Sequence, residues 1–254
     1  MTDDRERQIA DAVVSLADSL ASGYDAVELL DRLTRSCVRI LDVAAAGLLL
    51  ADELGRLHLL AASSQAAREL EVFQLQRDEG PCRDCYHTGT PVREPDLSAA
   101  IDRWPHFAPR ALDQGFASVH AVPLRLHAET LGAMGLFGTA PGALQDRDQA
   151  LAQALADVAT VALVQENAAA DPAAVAAQLQ TALTGRIILE QAKGVVAHAG
   201  GLDVSQAFDV LRRYARDHNV RLAELAASVV SRAVRPQQLL EHAHAKGQLV
   251  DKER

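Results

Sequence analysis

Two places in this sequence carry residue types and spacings that could do chemistry: Cys82-Arg83-Asp84-Cys85, and Lys193-Gly194 inside an apolar helical run. A C-x-x-C pair can cycle between dithiol and disulfide, or supply half of a four-ligand zinc or iron–sulfur site. His87 stands two residues beyond Cys85 as a third ligand, but no second C-x-x-C follows. Pro81 marks a helix start, where the helix field lowers a thiol pKa and favours redox use. Against both stands a simpler reading, in which the cysteines are small buried residues of the fold. The second place poses a different question. A glycine inside a helix costs about 1 kcal/mol relative to alanine, so Gly194 implies that a neighbouring helix or a ligand needs bare backbone beside Lys193. Downstream, Arg212, Arg213, Tyr214 and Arg216 share one short helix. An aromatic ring among guanidiniums suits stacking with phosphate contact, the way unpaired RNA bases are held. The same residues also suit a solvated helix face.

Composition limits the classes. With 49% hydrophobic and 23% charged residues the chain of 254 residues builds a core and is not disordered. No apolar run approaches the roughly 18 to 20 residues that span a bilayer, and the N-terminus lacks the basic-then-apolar pattern of a secretory leader. Three cysteines, Cys37, Cys82 and Cys85, are too few and too odd in number for a disulfide framework. These features lead us to expect a soluble, cytoplasmic protein. No nucleophilic triad, phosphate-binding loop or paired-carboxylate signature stands out. The net charge of −9 is uneven: from Gln178 onward there are 11 Lys and Arg against 8 Asp and Glu, a net of +3, which leaves −12 for the rest. A mildly basic end on an acidic body hints at an anionic partner there.

The elements that must position these residues fall into two sets. Residues 5 to 41 read as two helices about "ASGYD"; residues 44 to 64 read as a β-hairpin turning at Glu53 to Arg56. A helix follows at "AARELEVFQLQ", then a short helix from Pro81, a strand from Val92, two strands across 118–138, and helix from Leu144 to about Ala170. Helices before and after an antiparallel sheet make an α+β layer domain. At "AADPAAV" a new helix starts, with Asp171 as cap and Pro172 in its first turn. It stops at Gly200-Gly201, and Asp203 with Gln206 has capping-box spacing for the next. The third helix, "RLAELAASVVSRAV", stops before Pro236. We therefore divide the chain into an α+β domain over 1–168, an all-α three-helix bundle over 169–236 and a polar tail over 237–254, joined by a long helical connection. Val158, Val161 and Val164, then Val175, Leu179, Leu183 and Ile187, form apolar seams that suit a homodimer.

"GRIILEQAKGVVAHAGGLDVSQAFDVLRRYARDHNVRLAELAASVV" resembles the ANTAR domain, carried by Ala192-Lys193-Gly194, Ala207-Phe208, Leu211-Arg212, and Asn219 before Leu222 and Ala226. "DEGPCRDCYHTGTPVREPDLS", "RWPHF" and "GFASVHAVPLRLHAETLGAMGLF" resemble a GAF domain, specifically those fused to ANTAR in actinobacterial regulators. The resemblance implies a sensor domain, its ligand unknown, on an RNA-binding module. Such modules bind paired hairpins in mRNA leaders, so that RNA polymerase is affected only indirectly, by antitermination. Two hairpins read by two modules agree with a homodimer. The implied RNA-contacting set is Arg186, Lys193, Gly194, Arg212, Tyr214, Asn219 and Arg221; Tyr214 departs from the small residue often found at its position. No enzyme activity is expected, though some stand-alone GAF proteins are methionine sulfoxide reductases that use cysteines, which keeps a redox role for Cys82 and Cys85 open. A DNA-binding helix-turn-helix is the other alternative, weakened by the few base-reading residues on the third helix.

Overall fold

The computed structural model describes residues 2–21, 25–142, 144–164 and 172–246. The chain forms two compact units, 1–181 and 182–254.

In the first unit, α1 (Thr2–Ala21) and α2 (Ala26–Ile40) precede the hairpin β1 (Ala45–Ala51) and β2 (Leu57–Ala62). Next come α3 (Gln65–Arg77), α4 (Pro81–Thr88), β3 (Val92–Glu94), a 3₁₀ turn at Leu97–Ala100, and α5 (Phe107–Asp113). The strands β4 (Ser118–Leu126) and β5 (Glu129–Gly138) and the helix α6 (Asp146–Leu163) complete it. The five strands form one antiparallel sheet in the order β2-β1-β5-β4-β3. Helices α2 and α6 cover one face; α3 and α4, with the 3₁₀ turn and α5 beyond them, cover the other. This is the expected α+β layer arrangement, with the 3₁₀ turn and α5 added between β3 and β4.

Local physics accounts for the elements. Asp25 caps α2 by accepting the Val27 backbone N–H at 2.9 Å. Val27, Leu30, Leu33, Cys37 and Ile40 then recur every three or four residues and are all buried. β1 is buried along its whole length, because it is paired on both sides and covered on both faces, so its run "AAGLLLA" need not alternate. Along β5, Ala133, Gly135 and Phe137 face α3 and α4, while Met134 and Leu136 face α2 and α6. The Cys37 thiol 3.7 Å from the Met134 sulfur marks that second face.

α6 ends at Leu163, where Val164 takes extended backbone (φ −106°, ψ 96°), so the helix read as far as Ala170 stops earlier. Residues 165–171, including the proposed Asp171 cap, lie outside the described residues. α7 (Pro172–Gly200) is the long helix of the connection. Of the expected seams, Val164, Val175, Leu179 and Leu183 are buried within the chain, whereas Val161 (46% exposed) and Ile187 (60%) are open.

In the second unit α7 runs on to α8 (Val204–Asp217), α9 (Leu222–Val230) and α10 (Pro236–Ala245). The Asp203–Gln206 capping box forms with both reciprocal hydrogen bonds. α9 ends at Val230 rather than near Pro236. The segment read as a polar tail is corrected: through Ala245 it is helix, packed on α8. Pro236 starts it, and Leu239, Leu240 and Ala243 give it a buried stripe. The remainder of that tail, 247–254, lies outside the described residues.

Candidate nucleic-acid interface and sensor chamber

The sheet face under α3, α4 and α5 is a chamber filled mainly by apolar side chains. Trp104 and Phe107 meet edge to face at 5.9 Å between ring centroids, and Phe116 meets Phe137 at 5.3 Å. Together with Leu49, Leu70, Leu97, Ala121 and Ala133 they form one buried cluster that includes Cys82 and Cys85. Within it sits a carboxyl. Glu71 is 0% exposed; it accepts from the Gln74 amide and from the Cys82 thiol, whose sulfur lies 3.5 Å from Oε1. Gln74 Oε1 in turn accepts the Cys82 backbone N–H at 3.1 Å. Room for the carboxyl is made by Gly47 and Gly135, register partners on β1 and β5. A Cβ at Gly47 would stand 2.5 Å from Glu71 Cγ and Oε1, and one at Gly135 2.7 Å from Oε1 and 2.8 Å from Cys82 Sγ.

Burial pushes the Glu71 carboxyl up to about 8, against the acidifying hydrogen bonds from Cys82 and Gln74. It is therefore mostly protonated at neutral pH. Burial, followed by the neighbouring Glu71 and Cys85, pushes the Cys82 thiol well above the ordinary thiol range. Burial also lifts Cys85 to about 12. A helix start does lie at Pro81, but desolvation outweighs its field, and buried thiols of this kind are unreactive. The rest of the motif is structural: Asp84 Oδ2 accepts from Trp104 Nε1 at 3.1 Å and from Arg103 at 3.0 Å, tying α4 to the segment that covers the chamber. His87 is exposed while both thiols are buried. Among the described residues no three His, Cys, Asp or Glu side chains converge as metal ligands would. Glu71 and Gln74 were missed at the level of sequence, because each reads as an ordinary polar position of a helix.

In the second unit the candidate residues separate into groups. Glu190 Oε1 accepts from Arg186 at 2.7 Å and from Lys193 at 2.9 Å, and both cations are buried, at 7% and 6% exposure. Lys193 Nζ lies 5.3 Å from the Phe208 ring centroid and the Arg212 guanidinium 5.9 Å from it. Arg212 bonds Asp209 at 3.2 Å, and its Nε is buried with no hydrogen-bond partner. Tyr214 lies in a separate aromatic group: it stacks on His218 at 3.9 Å and meets His242 of α10 edge on at 5.3 Å. His242 Nε2 lies 2.9 Å from Asp217 Oδ2. Arg221 is exposed, 3.9 Å from Glu224.

Asn219 ends α8. Its φ is +52°; its N–H bonds Arg216 C=O at 3.2 Å, and the Val220 N–H bonds Ala215 C=O at 2.9 Å, the paired bonds of a left-handed helix stop. Gly194 is not explained by helix packing: a Cβ there would meet nothing within 4 Å. The close approach is six residues on, at Gly200, where a Cβ would stand 2.7 Å from Leu240 of α10.

The family profile for the GAF domain matches residues 24–164, and that for the ANTAR domain matches residues 177–230. The chain is a GAF–ANTAR protein. GAF is a sensor module and ANTAR an RNA-binding module of antitermination regulators, so the aromatic chamber belongs to the GAF domain and the Phe208 cluster to ANTAR. Comparison with curated protein sequences gives no match. Among solved structures, the GAF domain of a phosphoenolpyruvate-protein phosphotransferase from Coxiella burnetii is similar at 14% identity, over 66% of this chain and 98% of its own, with a TM-score of 0.49. A free methionine-R-sulfoxide reductase from Neisseria meningitidis, in complex with its substrate, is similar at 14% identity over 69% and 90%, with a TM-score of 0.46. No helix among the described residues is long and apolar enough to cross a membrane.

Proposed function

We propose that this GAF–ANTAR protein is a signal-responsive, cytoplasmic regulator that binds paired hairpin loops in nascent mRNA and promotes antitermination. The observation that carries the reading is the surface around Phe208. Two cations flank one ring, and open space stands above the Gly194 backbone beside Lys193. A loop base laid on that backbone would have an aromatic edge and two cations within reach of its phosphates. Glu190 pairs with both Arg186 and Lys193 in the free protein, which leaves one positive charge over, and RNA phosphate would compete with it for them. Tyr214, with His218, offers a second stacking surface, and Arg221 an exposed cation. Two copies reading two hairpins would form a homodimer, for which Val161 and Ile187 are the open apolar positions. The signal would act at the GAF domain.

The enzyme reading has less support, because the thiols it needs are buried and held protonated. The test is a gel-shift titration of the full chain, at two salt concentrations, against a two-hairpin RNA and a duplex DNA of equal length. We expect saturable binding to the RNA only, lost on changing the loop bases and weakened by Lys193→Ala with Arg212→Ala. Equal, salt-sensitive binding to both nucleic acids would reduce the interface to nonspecific charge. No binding to either, together with disulfide formation and reductase activity, would favour the enzyme.

A further inference from the structure

The sheet face opposite the aromatic chamber holds a cavity of about 390 Å³ between α6 and the β3–β4 edge. Its polar lining is unusual in what is left unpaired. Arg93 and Arg125, on β3 and β4, both line it, and among the described residues neither has an ion-pair or hydrogen-bond partner. Arg93 stands directly across the ladder from His120, so both side chains lie on the same face. β4 shifts register between Leu124 and Arg125, and Arg125 lines the same cavity as Val122.

His120 Nε2 accepts the Leu144 backbone N–H at 3.1 Å, which leaves the proton on Nδ1 as a donor. Burial, then Arg93, pushes this imidazole down to about 4, so it is neutral at neutral pH. From α6 come two amides. Gln149 Nε2 donates to Leu144 C=O, and Gln153 Nε2 donates to Pro123 C=O at 3.0 Å and to Asp157 at 2.8 Å. Those acceptors fix which end of each amide is nitrogen. The carbonyl oxygens of Gln149 and Gln153 are left buried with no partner, a condition that calls for a donor from elsewhere. Val122, Leu136, Leu144, Ala150 and Ala152 form an apolar wall, and Asp146 is the one carboxylate in the lining.

The geometry points to a binding site for a small phosphate monoester whose body offers hydroxyl or amino donors: the phosphate takes Arg93 and Arg125, and the donors satisfy the carbonyls of Gln149 and Gln153. A monoester carries close to two negative charges near neutral pH and three terminal oxygens, which matches two guanidinium forks. A cation would meet both arginines, and a purely apolar ligand would leave both carbonyls unpaired. The volume lies at the small end of ligand sites, which run from about 300 to 1,000 Å³. The site uses no residue of the aromatic chamber or of the RNA interface, and Gln149 and Gln153 place it directly on α6.

The test is calorimetric titration of the full chain with AMP, glucose 6-phosphate, inorganic phosphate and succinate, alongside NMR of the His120 ring protons. At least one monoester should saturate and shift the His120 signal. Arg93→Gln with Arg125→Gln should weaken it at least about 10-fold, from the loss of two charge-assisted contacts. RNA binding by that double variant should be unchanged, which separates this site from phosphate held at the ANTAR cluster. Three results overturn the proposal: no saturable binding or His120 shift with any of the three phosphates up to about 10 mM, undiminished binding in the double variant, or succinate binding as tightly as the esters. The wild-type titration decides the matter even if the double variant does not fold.

Discussion

Glu71→Gln keeps the shape of a buried carboxyl and removes its proton equilibrium. In the folded chain burial moves this group from 4.5 to about 8, and at 1.36 kcal/mol per pH unit its ionisation costs folding about 5 kcal/mol. The sign follows from linkage. The folded state holds the proton that the unfolded chain has already released, so stability is full below pH 4.5, falls as pH rises from 4.5 to 8, and then levels off. Between pH 5.5 and 7.5 the wild type should lose about 3 kcal/mol through this group. Glu71→Gln should not lose it, so the variant should gain on the wild type as pH rises through this range. Urea unfolding followed by the single tryptophan, Trp104, which is buried in the same chamber, reports the unit that carries Glu71. The quantity to plot is the stability difference between variant and wild type against pH, which cancels every other titrating group. A difference that stays flat from pH 5.5 to 8.5 would refute the reasoning, and would mean that the carboxyl is hydrated or paired in the folded chain.

Further expectations follow from single contacts. Gly135→Ala places a methyl against Glu71 and Cys82 and should cost about 1–3 kcal/mol by overpacking, read in the same urea assay; a change under about 0.5 kcal/mol would show that Glu71 moves aside freely. Gly194→Ala meets open space, so it should stabilise α7 by about 0.5–1 kcal/mol while lowering RNA affinity; unchanged affinity would mean that RNA does not use that backbone. Cys82 and Cys85 should react slowly with a thiol reagent at pH 7.5 in the native protein and fast in urea. Rapid native labelling, or a disulfide that forms under mild peroxide and reopens with reductant, would restore the redox reading.

Much of the architecture was legible in local signals. Capping by Asp203 and Gln206, Pro81 and Pro172 at helix starts, the two apolar runs about the β1–β2 turn and the three- and four-residue spacing in α2 and α8 are decided within a few residues. They therefore survive being read one segment at a time. α10 was legible too, in Pro236, Leu239, Leu240 and Ala243, but its polar residues outnumber that stripe and masked it. α5 and the 3₁₀ turn are too short to show a period.

What only the tertiary structure decided is which polar groups lose water. Glu71 reads like any glutamate of a helix. It becomes a buried acid because Gly47 and Gly135, far from it and from each other in sequence, are brought into register beneath it. Arg186 and Lys193 stand at helical spacing from Glu190 in the sequence itself, and what folding adds is their burial, to 7% and 6% exposure. Gly194 and Gly200 look alike in the run, and only the approach of Leu240 shows which of them is packed against a neighbouring helix. Charge, hydrogen-bonding capacity and helix propensity belong to the residue and its near neighbours. Desolvation belongs to whatever the fold lays against it, and here that sets the protonation of the chamber, the burial of the interface cations and the unpaired groups beside α6.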